Sequence, residues 1–528
     1  LVLLAGPIAR RSALESALSV APLEPRVSTR DVPPSADATS RTSPDDTSPS
    51  TQTASGITFS QVLANRHFRN VWAAQFVSNI GTWMEAFALQ MIVANLTGRL
   101  DDQGILAACQ GLPIFFLGVF GGVMADRFDR RAMLIITQII AALVAVAVGV
   151  VSLMTFESPR THVWWLFALG AINGCVMAFN FPAWQTLTPR LVPRVQLMRA
   201  IALNGIQFNL ARVVGPALAG FVLATIAAAP LFFFNALSFL LVAWVVRTTP
   251  DAPPPAPTGV PVLRQIANAA SFIRDNKGPR AVFAAQVTIS LLAAPLVRLL
   301  SLYGIDVYAL SQKQAEVAVG FLLGIQGIGA VLGGLALRLV PGWYPKHHFI
   351  PVAVLSLGMS ICLFALTTGL WWGYAAMLIC GFFWIWSFNQ SWAAMQVLAP
   401  EDMRGRVLSL ITVASFGATA VGAYVAGEVG ETLKELTTLG AAVSTRLVVA
   451  MLGVPLVVAG LIMLAFRTPE VDAMPRVLPP GARPSRNPLR AILASEHRPD
   501  RAAPADRSGD AIAREDPVPA ETQTSRGA

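Results

Sequence analysis

The sequence predicts an all-α polytopic membrane protein, with twelve transmembrane helices in two six-helix pseudo-symmetric halves. Three observations predict it. Apolar residues make up 54% of the 528 residues and charged residues 13%, with a mean hydropathy of +0.57. A soluble chain of this size could not cover that much apolar surface. Apolar runs of about the ~20 residues needed to cross the hydrocarbon core recur twelve times. Short sequence matches then relate the first six runs to the last six.

In chain order, residues 1–60 are rich in Ser, Thr, Pro, Asp and Arg without apolar periodicity, and read as a disordered tail. The opening Leu1 to Ala5 stretch is too short for a signal-peptide core and has no basic region before it, so no cleaved signal is expected. The first half, 61–247, holds runs at 71–96, 104–124, 132–154, 163–182, 200–226 and 230–246. A polar linker, 248–279, opens with Pro253, Pro254 and Pro255. It continues as a short amphipathic surface helix with Leu263, Ile266, Ala270 and Ile273 on one side. The second half, 280–467, holds runs at 281–303, 317–340, 349–369, 371–397, 407–430 and 444–466. Residues 468–528, rich in Pro, Arg, Ala and Asp, read as a second disordered tail.

The net charge of +9 is mostly arginine and sits in loops and tails. Loops after even-numbered spans hold fifteen Lys and Arg residues (Arg127, Arg130, Arg131, Arg190, Arg194, Arg199, Arg247, Arg264, Arg274, Lys277, Arg280, Arg338, Lys346, Arg404 and Arg406). Loops after odd-numbered spans hold five (Arg99, Arg160, Lys313, Lys434 and Arg446). That asymmetry puts both termini and the linker in the cytoplasm. No basic patch on a soluble domain calls for nucleic acid. The four cysteines (Cys109, Cys175, Cys362 and Cys380) fall inside apolar runs without metal-ligand spacing, so they read as small packing residues. No glycine-rich phosphate loop with lysine is present, so ATP is not the fuel. No metal or cofactor is expected.

Shifted by 212 positions, Gly121 and Gly122 fall on Gly333 and Gly334. Shifted by 207, Pro193, Arg199 and Leu203 fall on Pro400, Arg406 and Leu410. Parallel repeats of this kind are expected of a rocker-type transporter. Between the second and third runs, the chain from Gly121 to Arg131 is a charged turn. Its glycines let two helices approach closely, Asp126 can complement a positive helix N-terminus, and Arg127, Arg130 and Arg131 hold the turn at the cytoplasmic face. In the fifth run, Asn209, Gly215, Pro216 and Gly220 give a small-residue face and remove one backbone hydrogen bond, which suits a bend or a close helix contact.

These segments resemble a known family. The stretch from Phe68 to Met84 resembles the first helix of the enterobactin-exporter-like branch of the major facilitator superfamily. Gly122 to Arg131 is similar to that superfamily's loop between helices two and three, and Asn209 to Gly220 to the helix-five motif of its exporters. The resemblance covers about residues 61–468. It implies twelve helices, rocking halves, a latch that includes Asp126, and export rather than import. Arg338 stands where the second copy would need an acid, so any latch is asymmetric.

An ionisable group at mid-bilayer costs about 2.5–3.5 kcal/mol on insertion scales, so each should have a partner or a task. Glu85 is the carboxylate plainly inside a span, and Arg212 and Arg298 are the basic candidates. Glu85 lies ~24 Å beyond Arg69 and Arg212 ~20 Å beyond Arg199 along their helices. Helices one and five are neighbours in the family fold, so a Glu85–Arg212 ion pair is expected. Glu85 is either a proton carrier or that permanent partner, and Arg298 either a cavity residue or a snorkelling one. On helix ten, Trp384, Phe388 and Trp392 recur every four residues beside Asn389. With Asn180 on helix four, Asn235 on helix six and Arg298, they are the candidate substrate cavity; membrane-facing or packing aromatics are the alternative.

The sequence therefore reads as a secondary transporter of the inner (plasma) membrane, monomeric, not an enzyme. It would export an amphipathic small molecule of the siderophore or drug class by alternating access, with a proton or other ion as the coupling partner. An importer or lysolipid flippase on the same fold is the alternative, and a non-transporting membrane sensor a more distant one.

Overall fold

Helix is the one backbone form that satisfies its own hydrogen bonds in lipid, and fifteen α-helices with no strand make up the described residues. The structure is a computed structural model that describes residues 58–127, 129–250, 262–340, 346–401, 403–436 and 440–466, all within the compact unit Ala54–Ala528. Residues 1–57 and 467–528, with nearly all of both expected tails, and the Pro253 to Pro255 segment lie outside them.

The helices are α1 (Phe59–Leu63), α2 (Arg66–Thr97), α3 (Leu100–Arg127), α4 (Arg130–Leu153), α5 (Pro159–Leu191), α6 (Leu197–Thr225) and α7 (Ala229–Arg247). There follow α8 (Val262–Asp275), α9 (Lys277–Leu292), α10 (Leu296–Asp306), α11 (Gln312–Ala336), α12 (Lys346–Leu366), α13 (Leu370–Leu398), α14 (Arg404–Leu436) and α15 (Ala441–Ala465). Each expected span coincides with a long helix: α2 to α7 are spans one to six, α9 with α10 is span seven, and α11 to α15 are spans eight to twelve. Ten of these, counting α9–α10 as one, are long and apolar enough to cross a membrane. The other two, α2 and α3, have 32 and 28 residues, or ~48 and ~42 Å.

Span seven departs from the sequence reading, which had it continuous. It breaks between Leu292 and Leu296 because Pro295 has no backbone N–H and its ring crowds the preceding turn. The ladder slips there, with the Ala294 N–H donating to the Ile289 carbonyl and the Leu296 N–H to the Ala293 carbonyl.

Helix pairing repeats along the chain. In the first six spans α2 packs on α6 and α7, α3 on α5, and α4 on α5 and α7. In the last six, α9 packs on α14, α10 on α15, α11 on α13, and α12 on α13 and α15. The two sets meet along two seams, α3 against α14 and α6 against α11. Lipid supplies no hydrophobic drive between helices, so such seams rest on backbone approach across small residues. A Cβ at Gly104 would meet Ala423 and Tyr424 backbone 2.7–2.8 Å away, and one at Gly320 the Pro216 carbonyl at 2.6 Å.

The short sequence repeat has a structural counterpart. A Cβ on Gly121 of α3 would drive into the Ala178 carbonyl of α5, and one on Gly333 of α11 into the Phe382 carbonyl of α13. Gly122 and Gly334 have open space instead. The first glycine of each pair is thus the packing residue.

The linker helix α8 packs against α9 and α14, with Ile273 of the expected face buried and Ile266 half-buried. Ala269 and Ile273 are buried, with Phe272 half-buried beside them, whereas Ala270 is exposed. Ala269 thus takes the place expected of Ala270; the Leu263 side chain is outside the described residues. At the α3–α4 turn, Asp129 caps α4, accepting from the Arg131 N–H at 3.0 Å. Arg131 also donates to the Arg247 carbonyl at the end of α7. Arg130 is buried at the start of α4. The side chains of Asp126, Arg127 and Arg338 lie outside the described residues.

Gly121→Ala is expected to lower the thermal unfolding temperature of the detergent-purified protein, by the about 1–3 kcal/mol of an overpacked site. Gly122→Ala should hold or raise it, since alanine is favoured over glycine in a helix by about 1 kcal/mol. Equal shifts in the two variants would contradict the packing assignment.

Candidate functional site

The intramembrane charges arrange themselves differently from the sequence expectation. Glu85 and Arg212 do not pair. Residues 81 and 85 share one face of α2, and that face is turned to α7: Gly81 lies against Asn235, and the buried Glu85 accepts a hydrogen bond from Asn235 Nδ2 at 2.6 Å. Ser238 Oγ in turn donates to Asn235 Oδ1 at 3.1 Å and to the Asn235 carbonyl at 2.7 Å. A hydroxyl, a carboxamide and a carboxylate thus form a buried polar line inside the first helix set.

Arg212 points the other way. On α6, Val213, Pro216 and Gly220 face α11, and Arg212 beside them donates to Gln326 of α11 at 3.4 Å. Its guanidinium carbon lies 5.7 Å from the centroid of the Trp384 ring of α13, an attraction of the cation for the ring face. Phe388 stacks on Trp384, centroids 5.9 Å apart and planes 9° from parallel. Pro216 takes the helical hydrogen bond away from the Arg212 carbonyl, four residues back. Gly215 lets α6 close on Ile80 and Trp83 of α2, so the helix-five motif packs against both neighbours. Asn209 donates to its own helix, at the Gly205 carbonyl.

Arg298 stands one turn beyond the break in span seven and donates to Gln110 of α3 at 2.9 Å. Gln90 of α2 donates to the carbonyls of Val297 and Arg298, in the first turn of α10, at 2.8 and 3.1 Å. Arg298 is therefore held inside the bundle rather than snorkelling.

Of the other cavity candidates, Asn180 is buried and donates to Thr137 Oγ1 of α4 at 2.8 Å, and Asn235 is committed to Glu85. Both bind helix to helix rather than face an opening. Asn389 is exposed, and Trp392 packs against the core. Phe181 reaches Phe416 of α14, centroids 5.9 Å apart.

Sequence reasoning missed the polar cluster at the end of the bundle that carries the α2–α3 turn. Gly98, in the left-handed conformation at φ 63°, ends α2, and Arg99 follows. Arg99 grips Asp101 through Nε and Nη2 and reaches Glu431 and Glu435 of α14 at 3.6 and 3.4 Å. Its guanidinium is held above the usual arginine range, chiefly by the hydrogen bond to Asp101, with the charges of Asp101, Glu431 and Glu435 adding and burial opposing. Glu431 also accepts from the Leu100 N–H at 2.9 Å, a carboxylate on the positive end of α3 supplied by α14. Nearby, Asn95 of α2 donates to Glu316 of α11 at 3.0 Å. Lys434 pairs with Asp306 at 2.8 Å, and Arg160 with Asp102, whose side chain is fully buried, at 2.5 Å. One signal for this cluster was legible: Glu428, Glu431 and Glu435 form an acidic stripe at helical spacing near the end of one run, and Arg99, Asp101 and Asp102 are clustered between two others.

Compared with known proteins, the chain matches the family model described as transmembrane secretion effector over residues 58–482. It is 25% identical over 402 residues to the enterobactin exporter EntS of Salmonella choleraesuis (strain SC-B67), covering 75% of this chain and 91% of that protein. It is 28% identical over 179 residues to the uncharacterized MFS-type transporter YfiS of Bacillus subtilis (strain 168), covering 34% of this chain and 41% of that one. Its fold is similar to that of a bacterial homolog of the human lysosomal transporter Spinster in an inward-facing conformation (TM-score 0.58, 15% identity, 78% of this chain and 98% of that one). The nucleoside transporter NupG is likewise similar (TM-score 0.58, 15% identity, 76% and 100%).

Replacing Glu431 by glutamine should loosen the Arg99 cluster by about 1–2 kcal/mol. Amide hydrogen exchange in the first turn of α3 would then speed up about five- to thirty-fold. Unchanged exchange would mean that the carboxylate contributes nothing to the closure.

Proposed function

Because the chain belongs to the transmembrane secretion effector family of major facilitator transporters, we propose that it exports an amphipathic small molecule of the siderophore or drug class across the cell's inner (plasma) membrane. It does so by alternating access, as a monomer, with both termini in the cytoplasm. On that orientation the Arg99 cluster lies at the outer face.

The observation that carries this reading is where the two helix sets hold each other. Arg99 to Glu431 and Glu435, the Leu100 N–H to Glu431, and Asn95 to Glu316 all cross between the sets at that one end. A bundle tied there rocks open towards the cytoplasm, takes its cargo from inside, and must break those ties to release it outside. Outward direction rests on the named exporter among the relatives. A gating role for the turn of Gly121, Gly122, Asp126, Arg127, Arg130 and Arg131 fits its place at the opposite end.

Coupling to a proton gradient is assigned to Glu85. It is a carboxylate twelve residues, ~18 Å, from the Thr97 end of α2, and its partner is the neutral Asn235 amide rather than a cation. A charge balanced by arginine would have no reason to exchange a proton. One balanced by an amide can lose or gain it as access alternates.

Proteoliposome efflux of a fluorescent amphipathic panel under an imposed pH gradient tests this. Glu85→Gln, folded as judged by its unfolding temperature, is expected to abolish gradient-driven transport while leaving slow downhill movement. Full coupled transport in Glu85→Gln would remove Glu85 from the mechanism.

A further inference from the structure

Two cations sit within the hydrophobic span, and neither has a carboxylate partner among the described residues. Arg212 comes from the first helix set and answers to Gln326 of the second; Arg298 comes from the second and answers to Gln110 of the first. Gln110 and Gln326 occupy matching helices, α3 and α11, and each has its backbone carbonyl covered by a glycine from the helix beyond, Gly174 of α5 and Gly381 of α13. The same acceptor has been built twice, once in each set. The depths agree as well. Arg212 lies thirteen residues from the end of α6 and Gln326 fourteen from the start of α11, both ~20 Å from the Arg99 end. Arg298 and Gln110 lie ~12–15 Å from it.

A carboxamide oxygen accepts a hydrogen bond but neutralises no charge, and a guanidinium offers five N–H donors. An arginine kept only for structure in such a place would be expected beside an acid. The carboxylate at similar depth, Glu85, is turned away to Asn235. Beside Arg212 stands a flat apolar wall, Trp384 stacked on Phe388. Both arginines keep part of their side-chain surface uncovered by the helices around them. The combination is two forked cation donors, neutral partners that a stronger acceptor can displace, and an aromatic surface, all within ~10 Å of depth.

We infer that Arg212 and Arg298, with Trp384 and Phe388, form the recognition site for an amphipathic anion: an aromatic or apolar body bearing carboxylate, sulfonate or phenolate groups. The arginines take the acidic groups in place of Gln326 and Gln110, and the ring body lies against Trp384. Both displaced hydrogen bonds cross between the two helix sets, so loading also loosens the ties nearest the cargo. The inference rests on the export reading for direction of movement only; binding is independent of it.

The test uses the purified full chain with two dyes that share a xanthene ring, the anionic 5-carboxyfluorescein and the cationic rhodamine 6G. Binding is read by tryptophan quenching and thermal stabilisation. Carboxyfluorescein is expected to bind wild type at least about tenfold more tightly than rhodamine 6G. Arg212→Gln and Arg298→Gln should each weaken carboxyfluorescein about tenfold or more and leave rhodamine 6G unchanged. Gln326→Ala should bind carboxyfluorescein as tightly as wild type or more so, which a purely structural Arg212–Gln326 bond would not produce. If a Gln variant does not fold, the Lys variants decide: the charge stays but the fork is lost, so the anion alone should weaken several-fold.

Absence of anion binding to wild type, preference for the cation, or equal anion affinity in the arginine variants would overturn the inference. The same proteins in proteoliposomes separate it from the export reading. Arginine-dependent anion binding without movement keeps the site and removes export. Gradient-driven movement of either dye, with carboxyfluorescein binding and movement indifferent to both arginines, keeps export and removes the site.

Discussion

Hydrocarbon offers no hydrogen-bond partner, and the whole architecture follows from finding substitutes for the water that is missing. Most backbone groups find them within their own helix. Just past the break at Pro295, the side chain of Gln90 crosses from α2 to the Val297 and Arg298 carbonyls and ties α10 to the first helix set. Where Glu85 enters the apolar layer, Asn235 meets it, and Ser238 meets Asn235. Where helices must touch without a hydrophobic drive, glycines remove the side chains that would hold backbones apart, as Gly104 does against α14 and Gly320 against α6. These departures from plain apolar helix carry their own compensation, and they lie where the two helix sets meet or where charge is held.

The contacts between the sets differ in kind along the membrane normal. Towards the Arg99 end they are ionic and capped, with one carboxylate, Glu431, serving both a guanidinium and a helix terminus. In the middle layer they are single hydrogen bonds from arginine to carboxamide, with an aromatic face alongside. The ionic layer uses full charges with several partners each, and the middle layer uses single bonds to neutral groups.

Much of this was legible in the sequence. Each expected span coincides with a helix, and the α8 linker helix sits where its polarity changes, because hydropathy and charge patterning report span length and loop position directly. The Gly121 and Gly333 match was legible too, because backbone approach tolerates no other residue there. Rotation about each helix axis was not. Glu85 and Arg212 stood at the same depth on neighbouring helices, yet one faces α7 and the other α11; the period of a nearly all-apolar helix carries no direction from which to read this. For the same reason Asn180 and Asn235 shared a list of cavity candidates although both join helices. The Arg99 cluster was passed over because charges at span ends looked like topology signals alone.

The two arginines without acidic partners have an electrical consequence. On the transport reading proposed above, an unloaded carrier changes conformation with Arg212 and Arg298 in its middle layer, and with Glu85 charged or neutral according to its proton. Each elementary charge carried across the full field is worth about 2.3 kcal/mol per 100 mV. The membrane potential therefore bears on the conformational change of the unloaded molecule. On the export reading proposed above, a dianionic cargo would offset the two arginines and leave Glu85 and its proton to set how strongly voltage bears on the loaded step.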